Sequence, residues 1–164
     1  MSATLVLRFT RLAPTHHRFE YLRADGSGEV VEMESEDLLF HDLLHYAVES
    51  EAGLKGSFYG ILGKIGGYEE FSVAGGAALG GEIAITERVV GALAEAMREM
   101  GLDDAAFVAT VLENLALHGE RGPRWLTPAF ILAARERMRR LLTRWDATTP
   151  GETMELSFPA ADRS

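Results

Sequence analysis

The chain has 164 residues, 47% apolar and 9% aromatic, enough to enclose one hydrophobic core and to exclude a disordered chain. It has no cysteine, which removes disulfides, thiolate metal sites and thiol nucleophiles together. Sixteen Lys and Arg against twenty-five Asp and Glu give a net charge of −9, a balance that opposes nucleic acid as a partner.

The longest uncharged stretch, Phe71 to Gly81, is too short to span a bilayer, so no membrane partner is expected. Met1 to Leu12 carries Arg8 and Arg11 within its apolar run and lacks a small-residue cleavage site. It reads as a strand rather than a signal peptide, and a cytoplasmic protein is expected.

Residues 1–34 read as strands and a hairpin. Leu5, Leu7 and Phe9 alternate with Val6, Arg8 and Thr10, the period of a half-buried strand, and Pro14 stops it. His17 to Ala24 places Phe19 and Tyr21 on one face, Asp25-Gly26-Ser27-Gly28 supplies a tight turn, and Glu29 to Glu34 returns. The His16-His17 pair at the strand start is expected to be exposed.

Residues 35–52 form the first helix, with Ser35 as its cap, Glu36 and Asp37 at its positive end, and Gly53 past its end. Residues 53–82 hold ten of the seventeen glycines and both lysines, Lys55 and Lys64. That composition predicts loop or irregular turns, anchored by Phe58, Tyr59, Ile61, Leu62 and Tyr68. Gly63-Lys64 lacks the rest of a phosphate-binding loop.

Three helices are expected over residues 83–146. One follows Thr86 and buries Val89, Val90, Leu93 and Met97. The next starts at Asp103, buries Phe107, Val108, Val111, Leu112 and Leu115, and stops at Gly119. The last has Thr127 as cap and Pro128 at its first position, and runs to about Trp145. Residues 152–159 alternate again, with Met154, Leu156 and Phe158 on one side. The order predicts a single α+β domain: three N-terminal antiparallel strands plus one C-terminal strand, about four helices on one sheet face, and a glycine-rich crossover.

Chemistry concentrates on the first helix. At about 100° per residue, His41, Asp42, His45 and Glu49 share one arc, while Leu39, Phe40, Leu43, Leu44, Tyr46, Ala47 and Val48 cover the rest. Histidines four apart on a helix point the same way, at a separation that one divalent cation, zinc for example, can bridge. The carboxylates can accept the second ring proton of an imidazole and orient it. Glu49 lies two turns from His41, which suits that supporting role better than ligation.

His41-Asp42-Leu43-Leu44-His45 resembles the His-Glu-x-x-His helix of zinc metallopeptidases over these five residues. The resemblance implies His41 and His45 as metal ligands, Asp42 at the position of the general base, and a third ligand further along the chain. Asp is one methylene shorter than the family's Glu. Glu69, Glu70 or Glu82, in or just after the glycine-rich segment, are the expected third ligands. The His41-Asp42 dyad also resembles that of the HD phosphohydrolases, which implies further His and Asp ligands on other helices. A metal-free acid–base site and a solvated polar stripe are the remaining readings.

The last helix carries Arg135, Arg137, Arg139, Arg140 and Arg144 against Glu136, a local reversal of sign in an acidic chain. Arg137, Arg140 and Arg144 are therefore candidates for docking a protein partner or a second copy. Two functions follow: a divalent-metal site that activates water for hydrolysis of an unidentified small molecule, or a non-enzymatic domain that binds partners through the arginine helix.

Overall fold

The computed structural model describes residues 5–71, 80–119 and 121–159, with residues 70 and 71 in backbone only. Alternation does what the sequence predicts. Strands β1 (Leu5–Ala13), β2 (His16–Leu22), β3 (Gly28–Glu34) and β4 (Thr153–Phe158) form one antiparallel sheet in the order β3-β2-β1-β4. Register places Leu7 opposite Tyr21 and Leu156, and Phe9 opposite Phe19 and Met154, so the inner face is continuous apolar surface. On the outer face Arg8 stands between Glu20 (3.1 Å) and Glu155 (2.9 Å).

Helices cover the inner face. α1 (Glu36–Ala52) packs against β3, α4 (Gly81–Met97) and α6 (Pro128–Asp146), while α5 (Asp104–Leu117) lies on α4 and α6. Gly53 ends α1 at φ 66°, a left-handed conformation that suits glycine. Asp103 caps α5 by accepting from Ala106 N, and Thr127 caps α6 by accepting from Phe130 N. The α+β architecture is the expected one. Among the described residues no helix is long and apolar enough to cross a membrane.

Five expectations change. Ser35 does not cap α1; it is already helical, and its Oγ lies 3.0 Å from His17 Nδ1. His17 is fully buried, because its position shares parity with Phe19 and Tyr21 on the inner face; His16 alone is exposed. The glycine-rich segment contains two helical turns, α2 (Phe58–Leu62) and α3 (Tyr68–Phe71). Residues 72–79 of that segment lie outside the described residues. The helix expected after Thr86 starts at Gly81. On α5, Leu112 is exposed and Val108 half-buried, packed at the edge of the core that the stripe Phe107, Val111 and Leu115 enters.

Candidate metal centre

α1 is buried along most of its girth, including its polar stripe: Asp42, His45 and Glu49 are fully buried and only His41 keeps partial exposure, 20% of its side chain. A helix can bury such a stripe only if other elements satisfy it. Three do. The glycine-rich segment supplies the Tyr59 backbone N–H, which donates to Glu49 Oε1 (2.9 Å), and the Tyr68 hydroxyl, which donates to Asp42 Oδ2 (2.8 Å). The Tyr59 hydroxyl donates to the Asp42 carbonyl (2.8 Å), pinning α2 to the same turn of α1. α4 supplies Glu87.

Glu87 is the residue that the sequence does not single out. It reaches across from α4 so that Oε1 lies 2.9 Å from His45 Nε2 and Oε2 lies 3.3 Å from His41 Nε2. His41, His45 and Glu87 each present one ligand atom within 4.8 Å of the others, close enough to hold one metal ion. Its sequence signal is positional: one turn away on either side along α4 it shares a face with Ile83, Ala84 and Val90, all buried, so it is an acid on an apolar stripe.

On the far side of the imidazoles stand the other carboxylates. Glu49 Oε2 is 2.9 Å from His45 Nδ1, and Asp42 Oδ1 is 3.4 Å from His41 Nδ1. An ionised Glu49 can only accept, which fixes the His45 ring proton on Nδ1 and turns Nε2 toward Glu87. There the local geometry is incomplete. His45 Nε2 and Glu87 Oε1 are both buried and 2.9 Å apart, yet the ring nitrogen and the carboxylate are not aligned for a hydrogen bond. A shared cation would satisfy both atoms.

Electrostatics couple the same groups. Burial would depress the His45 pKa, but Glu49 and Glu87 outweigh it and lift it to about 9. Burial would raise the Glu87 pKa, but His41 and His45 outweigh that and hold it at about 2. These are one interaction seen from its two ends, so they do not add. His41 is also raised: burial works against it, and hydrogen bonding to Asp42 and Glu87 prevails. Glu49 is raised because burial exceeds the effect of His45. Two neutral imidazoles among three buried or nearly buried carboxylates leave an excess of negative charge. Two protons or one divalent cation would relieve it equally, and two imidazolium rings with centroids 4.6 Å apart would repel each other.

The remaining candidates fall elsewhere. Glu69, on α3, is exposed and outside the cluster, and the Glu70 side chain lies outside the described residues. Glu82 is exposed at the first turn of α4, its carboxylate against Gly56. Of the carboxylates weighed for the third place, none of Glu69, Glu70 and Glu82 belongs to the described cluster; Glu87 does, because α4 packs directly on the histidine face of α1. Asp42 stands on the Nδ1 side of His41, opposite the nitrogen that meets Glu87, and its other oxygen accepts from the Tyr68 hydroxyl. Among the arginines, Arg137 is buried, 3.6 Å from Glu51 of α1, and so braces two helices instead of presenting a docking surface. Arg140 is exposed, and Arg144, also exposed, donates to the Glu155 carbonyl (3.2 Å).

Two cavities, of about 620 and 340 Å³, flank α1, and neither is lined by His41, His45 or Glu87. No protein-family description, curated protein or solved structure matches the chain.

Proposed function

We propose that this protein binds one divalent cation, zinc by donor chemistry, through His41, His45 and Glu87. The observation that carries the reading is the pair of buried, unaligned atoms His45 Nε2 and Glu87 Oε1, with His41 Nε2 beside them. Two imidazoles and one carboxylate form a donor set that zinc accepts while keeping a fourth position free. Glu49 fixes the tautomer of His45 and Asp42 supports His41, the orienting contacts that such ligands ordinarily have.

The function proposed for the centre is water activation for hydrolysis, the chemistry that a zinc ion with a free position supplies. Access would be from the side of His41, the part-exposed member of the set. Asp42 and Glu49 act as positioning residues in this reading, and the chain's own contribution is to hold three ligands rigid between two helices.

Elemental analysis of the purified protein, after dialysis against a zinc-containing buffer and then a zinc-free one, tests the proposal. We expect about one zinc per chain. The His41→Ala/His45→Ala double variant and the milder Glu87→Gln variant should lose it while keeping the far-UV circular dichroism of the parent. Equal, near-zero metal in parent and variants would overturn the reading.

A further inference from the structure

Beyond the metal centre, on the opposite side of Glu49, α1 and α2 enclose the smaller cavity, about 340 Å³, closed at one end by β1 and β4. Its walls are apolar: Leu5, Leu54, Tyr59, Phe158 and Pro159. Its volume is at the low end of the range for small-molecule sites. Three glycines are part of its lining. Gly53 takes a left-handed φ, Gly60 packs so closely on the Lys55 carbonyl that a Cβ would collide with it, and Gly63 faces Leu5.

The polar side chains around this space are few: two lysines, one serine and one glutamate. Lys55 and Lys64, the only lysines in the chain, both line it, both are exposed, and neither forms an ion pair among the described residues. In a protein with twenty-five acidic side chains, two ammonium groups without an ion pair among the described residues, beside one apolar space, are a marked local reversal. Ser50 adds a buried hydroxyl with no hydrogen-bond partner, also in the lining. The one carboxylate there, Glu49, has its oxygens engaged by His45 and Tyr59.

We infer that this cavity binds an organic anion with an apolar body, specifically a carboxylate on an aliphatic chain. The chain would lie against Leu5, Leu54, Tyr59 and Phe158, the carboxylate between Lys55 and Lys64, and the Ser50 hydroxyl would gain an acceptor. Charge selects the headgroup and the walls select the tail. The site does not depend on a metal, because Glu49 separates it from His45.

Decanoate, decanol and decyltrimethylammonium, titrated below their micelle-forming concentrations, separate these contributions by calorimetry. The expected result is saturable one-site binding of decanoate, about tenfold weaker binding of decanol and none of the ammonium compound. Lys55→Glu/Lys64→Glu, on exposed positions that leave the fold intact, should weaken decanoate about tenfold further while leaving decanol unchanged. The titrations are run with chelator-treated and with zinc-loaded protein. The lysine dependence should appear in both, so that loss of metal binding and loss of this site are read separately. No saturable decanoate binding, or equal decanoate affinity in the parent and the double variant, would overturn the inference.

Discussion

Replacing Glu49 by Gln tests how the proposed metal centre is built. Glu49 makes two contacts, Oε1 with Tyr59 N–H and Oε2 with His45 Nδ1, each at 2.9 Å. Gln has the same shape but one carbonyl oxygen, so if that oxygen keeps the Tyr59 N–H, an amide NH₂ faces His45 Nδ1. An amide N–H there can only meet a lone pair, which moves the imidazole proton to Nε2, the atom that would ligate. Binding metal would then require a proton back on Nδ1, with two buried donors facing each other. Leaving a buried donor unsatisfied costs about 1–3 kcal/mol, equivalent to roughly fivefold to 150-fold in zinc affinity. Competition against a chromogenic chelator at neutral pH measures the loss directly. Glu87→Gln, which removes a ligand, should lose more, and Glu69→Gln, on an exposed side chain outside the cluster, should lose nothing. A folded Glu49→Gln protein with parental zinc affinity would refute the assignment of Glu49 as the group that sets the tautomer.

Two further outcomes follow from groups away from the centre. Burial holds the His17 pKa down at about 4 against an ordinary 6.5, so the folded state keeps it neutral while the unfolded chain takes up a proton below pH 6.5. Its contribution is therefore complete above pH 6.5 and falls as pH drops toward 4; urea unfolding at pH 7 and pH 5 should show the parent losing about 2 kcal/mol more than His17→Leu, and an equal loss in both would contradict the assignment. Arg137 is buried against Glu51, so Arg137→Glu should lower the unfolding free energy by about 3 kcal/mol, whereas the exposed Arg140→Glu should stay within about 0.5 kcal/mol; matching thermal melts for the two variants would count against this difference.

What the sequence made legible follows from which patterns are local. A period of two fixed the inner faces of β1 and β4, and capping chemistry at Asp103 and Thr127 marked the starts of α5 and α6. His17 falls under the same argument, since residues 17, 19 and 21 share one face and that parity outweighs its place at the strand end. The start of α4 was hidden because Gly80 and Gly81 look like breakers, yet Gly80, at φ 72°, is the residue before the first helical turn. That shift of register matters for the site. With a start after Thr86, Glu87 belongs to the first turn, where the helix dipole already accounts for an acid. With a start at Gly81, it lies on the buried face and an acid there needs a partner.

The candidate centre shows where pattern reading stops. His41, Asp42, His45 and Glu49 were found together because one helix sets their relative positions through its own period. Glu87 joins them across two helices, and its height relative to His45 depends on how α1 and α4 slide and cross, which side-chain volume along the whole contact determines. The partners that hold the stripe in place, the Tyr59 N–H and the Tyr68 hydroxyl, come from a segment whose glycines concealed its helical turns. A cluster with this much buried charge is stable only if every element meets it in register. Its orienting contacts therefore do two jobs: Glu49 and Asp42 aim the imidazoles, and the same carboxylates anchor α2 and α3 to α1.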